Sequence, residues 1–385
     1  MKALLSSALP VLLLALSISG CGGVGGSRSP SSQPPSTSPI KNVIVVVMQN
    51  RSFDHLFGTF AGVDGVRAGV PGYSQKNGKG ETVTPRLLQQ TTVSDLPHGR
   101  EEYLRVWNSG GMDRYALHNG DISLGYYDAT TPGVDRLWSW AQQYALADRF
   151  FTSVMSSAPS NQLFMVAASD NNFPFSVHPF YGPCNTETTT PAPYTFRNLG
   201  DQLTEAGISW GWYQEHLWDC ANGYIPQQNP FQYFTSTHES PSLRDYSRFL
   251  QDLTSGTLPA VSFVQPGPSE STHPSGGSIT NGLNWLDGLI RQIQASSVWP
   301  GVALIVLWDE SGGWWDHVPP PQVDQEGYGM RVPLLVISPH AKRNYVSHVQ
   351  LDNVSVLKFI QENWGLPPLN SRNQAATGLD DLFAF

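Results

Sequence analysis

The sequence predicts an α/β domain whose central sheet is mostly parallel and has helices on both faces. Three observations predict it: short apolar runs recur along the chain, helical patterns fall between them, and the run Ile44–Val47 is β-branched throughout. A continuous apolar run of this kind fits a strand that is buried on both faces. Strands that alternate with helices are typical of parallel sheets.

Five apolar runs are predicted to be buried strands. They are Val43–Met48, Ile208–Tyr213, Ala260–Val264, Val302–Trp308 and Val332–Ile337. Apolar residues recur at helical spacing in three further segments, which predict helices over Arg136–Ala147, Thr280–Ser297 and Val354–Trp364. Asp352 is suited to cap the last of these helices, and Gly365 with the prolines after it ends the helix.

The start of the chain resembles a bacterial lipoprotein signal. Lys2 supplies a positive start, Leu4–Ile18 is mostly apolar, and small residues precede Cys21. The apolar run is shorter than the roughly 20 residues that a membrane span needs. We therefore predict a signal peptide over residues 1–20, export, and a lipid anchor at Cys21 that attaches the protein to the membrane of the cell envelope.

Residues 21–40 are almost entirely Gly, Ser, Pro, Thr and Gln, a composition that builds no packed core. They are predicted to form a tether. No later segment has this composition for long, so residues 41–385 are predicted to form one domain.

The charge balance excludes one class of partner. The 31 acidic residues outnumber the 22 basic ones, which leaves a formal net charge of −9. A protein that binds nucleic acid through its phosphates normally needs a basic face. We therefore expect no nucleic-acid partner.

Only Cys184 and Cys220 remain as thiols if Cys21 is acylated. Because cysteines of exported proteins meet an oxidising compartment, the pair is predicted to form a disulfide. Two buried free thiols are the alternative, and the spacing is not that of a metal site.

Polar residues follow two of the predicted strands directly. Gln49 and Asn50 come after the first strand, and Asp309 and Glu310 come after Val302–Trp308. Ligands of open α/β sheets bind at the carboxyl ends of the strands, and carboxylate and amide oxygens suit hard divalent cations. A helix cap or a solvated turn is the structural alternative for the acidic pair.

Three histidines stand in a context that suits a hydrolytic site. His98 and His273 lie in loops rich in Gly, Pro and Ser, and His317 follows an aspartate just after the acidic pair. Each alone is typical of an ordinary surface or core histidine. Together they suit a positive hydrogen-bonding shell and a leaving-group acid.

A series of motifs in order along the chain carries a family resemblance. They are Met48–Gly58, Asp95–His98, Asn108–Asp113, Ala147–Phe151, His273-Pro274, Asp309-Glu310, Asp316–Pro321, Arg331–Pro339 and Leu357–Ile360. With them the chain resembles the bacterial phosphoesterase family that contains non-haemolytic phospholipases C and a group of acid phosphatases. The resemblance implies an alkaline-phosphatase-like α/β fold and hydrolysis of phosphate esters, phospholipids among them.

The resemblance also implies a site. Carried over to this chain, the residues that hold a divalent metal ion are Gln49, Asn50, Asp309 and Glu310. The phosphate binders or proton donors are His98, His273 and His317. Such an ion neutralises charge on the ester and sharpens the nucleophile.

Two positions depart from the family pattern. Gln49 stands where a glutamate is usual, so one ligand charge is lost. Ala158 stands where the hydroxyl nucleophile is usual. Either a neighbouring hydroxyl replaces it, Ser157 first and Ser160 second, or a water activated by the metal attacks, or the chemistry has been lost.

The sequence therefore favours an exported, metal-dependent hydrolase of phosphate monoesters or of phospholipase C-type diesters. The alternative is a catalytically impaired member that acts as a surface-tethered binding protein for phosphate ligands. A sulfatase or phosphonate-type hydrolase is disfavoured because Ser157–Asn161 lacks the arginine that a sulfatase segment contains.

Overall fold

A computed structural model describes residues 38–172, 184 and 193–385. The described residues belong to one compact unit. The predicted signal peptide, Cys21 and most of the predicted tether lie outside them. Among the residues described, none belongs to a helix that is long and apolar enough to cross a membrane.

The core of the domain is one eight-stranded sheet. Its strands in chain order are β1 Asn42–Met48, β2 Ala145–Ala147, β3 Trp210–Gln214, β4 Leu243–Asp245, β5 Val261–Gln265, β6 Val302–Trp308, β7 Leu334–Ile337 and β8 Tyr345–Ser347. In space the order is β8, β2, β7, β6, β1, β5, β3, β4. All neighbours pair in parallel except that β7 runs antiparallel to both β6 and β2.

Ten α-helices accompany the sheet in the described part of the chain. They are α1 Phe53–Phe57, α2 Arg100–Trp107, α3 Tyr115–His118, α4 Val134–Gln143, α5 Ala158–Ala167, α6 Leu199–Glu205, α7 Tyr246–Ser255, α8 Ile279–Ala295, α9 Asn353–Trp364 and α10 Ser371–Ala375. Three two-stranded ladders pair Gln75–Lys76 with Thr82–Val83, Arg86–Leu87 with Gly125–Tyr126, and Phe150–Phe151 with Leu351–Asp352. The predicted α/β class with a mostly parallel sheet is confirmed.

The five predicted strands are confirmed, each to within two residues at either end. The helix predicted over Arg136–Ala147 is wrong at its end, because α4 stops at Gln143 and Ala145–Ala147 forms β2. Tyr144 leaves the helical region with φ −130° and ψ −148°. Pairing of β2 with both β7 and β8 outweighs the local helical pattern.

The sheet order explains why the polar residues after β1 meet those after β6. β1 and β6 are adjacent and parallel, and Met48 is aligned with Trp308. The backbone N–H of Asp309 donates to the carbonyl oxygen of Met48 at 3.0 Å. The residues that follow both strands therefore lie side by side at one edge of the sheet.

The disulfide predicted between Cys184 and Cys220 is confirmed. Their Cα atoms lie 5.5 Å apart and the two sulfurs are bonded.

Candidate active site

Asp309 and Glu310 form a buried acidic pair at the end of β6, with exposed fractions of 0% and 2%. No lysine or arginine of the described residues forms an ion pair with either carboxylate. Burial, together with the charge of Glu310, raises the pKa of Asp309 to about 8. Two adjacent buried carboxylates favour either a shared proton or a bound cation.

Three nitrogens converge on Asp309. Its Oδ2 accepts from Nε2 of Gln162 at 3.2 Å and from Nε2 of Gln49 at 3.5 Å. Its Oδ1 accepts from the backbone N–H of Asn50 at 3.4 Å. The carboxylate is thus surrounded by amide groups from the two residues after β1 and from α5.

Asn50 takes a left-handed backbone conformation with φ +60°, which Asn tolerates better than most residues. Gly312 packs against Asn50. A Cβ added at Gly312 would lie only 2.6 Å from the Asn50 Cβ, so glycine at this position leaves room for the turn. The Asn50 Nδ2 lies 3.4 Å from Nε2 of His98, while its Oδ1 is buried without a hydrogen-bond partner.

Glu310 is held by hydrogen bonds at both oxygens. Its Oε2 accepts from the hydroxyl of Tyr103 on α2 at 2.7 Å. Its Oε1 accepts from the backbone N–H of Ala158, the first residue of α5, at 3.0 Å and lies 3.7 Å from Nε2 of His98. Burial raises the pKa of the Tyr103 phenol well above its ordinary value, so Tyr103 stays a donor.

The rings of His98 and His273 lie edge to face, with centroids 6.3 Å apart and an interplanar angle of 69°. The charge of Glu310 raises the pKa of His98, and the contact of its Nδ1 with the carbonyl oxygen of Leu96 at 2.6 Å acts in the same direction. Burial lowers the pKa of His273. The pair therefore combines a ring that holds a proton with one that is readily neutral.

His273 follows a residue in a strained conformation. Thr272 is fully buried and has φ +68°, which is unusual for a β-branched residue. Its Oγ1 donates to the carbonyl oxygen of Gln49 at 2.8 Å and accepts from Nε1 of Trp308 at 3.1 Å. The Arg51 Nη2 donates to the carbonyl oxygen of Thr272 at 2.7 Å. These bonds join the His273 loop to the ends of β1 and β6.

The two candidate nucleophiles differ in access. Ser157 directly precedes α5, its hydroxyl does not cap the helix, and it lines a cavity of about 680 Å³ together with His98 and Glu102. Ser160 lies within α5, fully buried, and its Oγ has no hydrogen-bond partner.

The structure does not bring His317 to this group. Its Nδ1 lies 2.6 Å from Oδ2 of Asp54 and its Nε2 lies 3.3 Å from Oδ1 of Asp64. It lines a separate cavity of about 400 Å³ with Arg149. Its predicted role in phosphate binding stays a prediction.

Asp54, Asp316 and His317 lie close enough together to resemble a cation site. Arg331, however, donates through Nε to Asp316 at 2.9 Å and through Nη2 to Asp54 at 2.8 Å. All four groups are buried. This cluster is therefore an ion-pair network in which Arg331, together with His317 when it is protonated, balances the two carboxylates.

Sequence reasoning missed three residues of the site: Arg51, Tyr103 and Gln162. Arg51 lies in the motif Met48–Gly58, and Gln162 directly follows the segment Ser157–Asn161 that contains the candidate nucleophiles, so position in the sequence was a usable signal for both. Tyr103 carries no local signal, because only the packing of α2 against the end of β6 gives it a partner.

The residues present fit a hard divalent cation. The oxygens Asn50 Oδ1 and Gln162 Oε1 are buried without partners, beside the carboxylates of Asp309 and Glu310, which form no ion pair with a lysine or arginine of the described residues. Carboxylate and amide oxygens are the ligands that such cations prefer. A divalent ion held by Gln49, Asn50, Asp309 and Glu310 would balance the charge of the pair.

A model of a family described as "Phosphoesterase family" matches residues 40–367 of the chain. The chain is 28% identical over 408 residues to a non-hemolytic phospholipase C of Pseudomonas aeruginosa. The alignment covers 90% of this chain and 57% of that protein. It is 26% identical to a non-hemolytic phospholipase C of Burkholderia pseudomallei, covering 84% and 55% respectively. The phospholipase C B of Mycobacterium tuberculosis is 26% identical, covering 88% and 75%. The chain thus spans little more than half the length of the first two relatives.

Two solved structures are also similar. The lipoteichoic acid synthase LtaP from Listeria monocytogenes superposes with a TM-score of 0.44 at 7% identity, covering 91% of this chain and 79% of that one. The phosphonate monoester hydrolase of Agrobacterium radiobacter gives a TM-score of 0.43 at 11% identity, covering 89% and 77%.

Proposed function

Because this chain belongs to the phosphoesterase family, we propose that it is a metal-dependent hydrolase of phosphoric ester bonds with its active site at the carboxyl ends of β1 and β6. One observation carries the proposal. The buried pair Asp309 and Glu310, which has no lysine or arginine partner among the described residues, meets two unpartnered amide oxygens beside the His98 cavity. This arrangement is costly unless a cation is bound there, and it supplies the charge that an esterified phosphate requires.

Gln49, Asn50, Asp309 and Glu310 would hold the cation. When bound, it supplies Lewis-acid neutralisation of the phosphate oxygens. Tyr103 and the first backbone N–H of α5 keep Glu310 in place. His98, which lines the same cavity as Ser157, would bind the phosphate as a cation, give its proton to the departing alcohol and take up the proton that Ser157 releases.

Ser157 is the nucleophile that we favour over Ser160, because Ser157 opens onto the cavity and Ser160 is enclosed in the core. The Ser157 oxygen bonds to phosphorus as the bond from phosphorus to the ester oxygen breaks. The alcohol leaves with a proton, and water then cleaves the phosphoserine to regenerate the hydroxyl and release the phosphate product.

Phosphate esters of lipids are the substrate class that the names of the curated relatives suggest, since three of them are phospholipases C. We extend this class to the present chain as a proposal, with phosphomonoesters as the second class to be tested.

A panel of esters tests the proposal. The purified chain, stripped with a chelator, is assayed with p-nitrophenyl phosphate, bis(p-nitrophenyl) phosphate and phosphatidylcholine, with Mg²⁺, Ca²⁺, Mn²⁺ or Zn²⁺ added singly. We expect turnover that returns with at least one ion and is lost in Asp309→Asn. A folded protein that turns over none of the esters with any ion would refute the proposal.

A second function, binding of phosphate ligands without turnover, is favoured by Ala158 at the usual place of the nucleophile. Calorimetry with inorganic phosphate separates the two functions. Phosphate binding in a chain that hydrolyses no ester supports the binding protein.

Export and lipid attachment at Cys21 complete the proposal, supported by the apolar run Leu4–Ile18 and the small residues before Cys21. Cys21→Ser should release the protein from the membrane fraction of a bacterial host. Unchanged fractionation and the absence of incorporated fatty acid would contradict the anchor.

A further inference from the structure

We propose that Gln162 is an additional ligand of the cation, so that the shell consists of three neutral amide side chains and two carboxylates. The inference rests on the metal-dependent function proposed above. It concerns a residue of α5, an element that contributes no metal ligand to the predicted set.

Gln162 is 1% exposed, and only one of the two polar atoms of its side chain has a hydrogen-bond partner. Its Nε2 donates to Oδ2 of Asp309 at 3.2 Å, whereas its Oε1 is buried with no hydrogen-bond partner. Leaving a buried acceptor unsatisfied costs free energy, so such a group calls for a ligand or another explanation.

The position of Gln162 on α5 explains how it reaches the acidic pair. Ala158 and Gln162 are four residues apart and therefore lie on the same face of the helix. The backbone N–H of Ala158 meets Glu310, and the side chain of Gln162 meets Asp309 one turn later. One helix thus contacts both carboxylates.

The contacts of Asp309 indicate that the amide group of Gln162 can turn when a cation binds. Oδ2 of Asp309 accepts from the amide groups of both Gln49 and Gln162. The terminal torsion of Gln is broad and roughly two-fold, so a half-turn exchanges the amide nitrogen and oxygen at small cost. An amide oxygen turned toward a carboxylate is repelled unless a cation lies between them.

The charge and the ligand atoms of this shell predict which metal ions suit it. Gln49, Asn50 and Gln162 add no charge, so the shell carries only the two negative charges of Asp309 and Glu310, which a divalent ion neutralises. All its ligand atoms are oxygens. Carboxylate and amide oxygens suit hard ions such as Ca²⁺, Mg²⁺ and Mn²⁺, so these are the ions to be titrated first.

Calorimetric titration of the chelator-stripped full chain with each metal chloride tests the inference without any substrate. The variants are Gln162→Leu, which removes the ligand, and Gln162→Glu, which adds a charge at the same place. Gln265→Leu is the matched control, because Gln265 is equally buried at the end of β5, has an unpartnered Oε1, and contacts Gln228 rather than Asp309.

We expect Gln162→Leu to weaken binding of the preferred ion by at least about tenfold. Gln162→Glu should tighten binding, and Gln265→Leu should leave the dissociation constant unchanged. Thermal unfolding of each stripped variant checks folding, and Gln162→Glu, which keeps the shape of the side chain, gives an independent reading if Gln162→Leu fails to fold.

Unchanged affinity in both Gln162 variants would overturn the inference while leaving the proposed hydrolase standing. Equal weakening in Gln162→Leu and Gln265→Leu would also overturn it, since the effect would then arise from packing. If the wild-type chain binds none of the ions, both this inference and the metal dependence of the proposed function are refuted. Ester turnover in the presence of a chelator would then show that the chain is a hydrolase that needs no metal.

Discussion

The guanidinium of Arg51 donates a hydrogen bond of 2.7 Å from Nη2 to the carbonyl oxygen of Thr272. Both residues are fully buried, and each stands beside a residue of the site, Asn50 in one case and His273 in the other. Burial lowers the pKa of Arg51 to about 10, so Arg51 remains a cation at neutral pH. The bond therefore fixes the distance between the β1 end and the His273 loop.

Replacing Thr272 by Val should loosen the His273 loop without changing the size of the side chain, and it leaves the bond from Arg51 to the backbone carbonyl in place. The variant loses the hydroxyl bonds to Gln49 and Trp308, and we expect the free energy of unfolding to fall by about 1–3 kcal/mol. If the loop positions His273 for catalysis, kcat should fall more than KM rises, as measured by steady-state hydrolysis of the preferred ester. Thr272→Ser, which keeps the hydroxyl, should restore kcat. Equal kcat in the Val and Ser variants would contradict the positioning role.

Removing the proposed nucleophile should abolish most of the turnover. We expect Ser157→Ala to lower kcat by at least about a thousandfold, because a hydroxyl that forms a covalent intermediate has no substitute. Introducing Ala158→Ser into the Ser157→Ala protein should recover part of the rate, since the backbone of residue 158 already contacts Glu310. Full activity in Ser157→Ala would instead favour direct attack by water.

The protonation of His98 should depend on Glu310. The charge of Glu310 raises the pKa of His98, so Glu310→Gln is expected to lower that pKa in the metal-free protein. NMR titration of the imidazole signals measures the change. Asp95→Asn is the matched comparison, and its effect should be in the same direction but smaller, because Asp95 contributes less to the shift. A larger effect of Asp95→Asn would show that the assignment of the main partner is wrong.

The network around Arg331 should be a major source of stability. Arg331→Met leaves the buried carboxylates of Asp54 and Asp316 without their guanidinium, and breaking such a pair costs about 3–5 kcal/mol. Urea denaturation measures the free energy of unfolding. Arg67→Met, which removes an exposed partner of Asp64, is the control and should change it little. A small loss in Arg331→Met would mean that the carboxylates take up protons at little cost.

His317 should make stability depend on pH in a defined direction. Burial lowers the pKa of His317, but the hydrogen bond to Asp54 and the charges of Asp54 and Asp316 together outweigh it, so the folded pKa lies above the ordinary 6.5. A raised folded pKa contributes stability that is complete below pH 6.5 and is lost as pH rises through the folded pKa. The difference in the free energy of unfolding between wild type and His317→Gln should therefore shrink as the pH rises above about 6.5. A difference that grows with pH would contradict the assigned protonation.

Much of the scaffold follows from local sequence. The β-branched run of β1 and the apolar run of β6 suit only strands that are buried on both faces, and both were predicted from their residues alone. Gln49, Asn50, Asp309 and Glu310 were recognisable as candidate ligands because polar residues at the end of a buried strand have no role in the core. The pairing of Cys184 with Cys220 followed from the predicted compartment.

Contacts between distant segments decided the rest. Ala145–Ala147 has a helical pattern but forms β2, because pairing on both sides outweighs a weak local preference. Gln162 and Tyr103 reach the acidic pair only through the packing of α5 and α2, and His317 is drawn instead to Asp54 and Asp64. Local sequence therefore determined which strands end in polar groups. The tertiary structure determined which of those groups meet, because strand order and helix packing depend on side chains far apart in the chain.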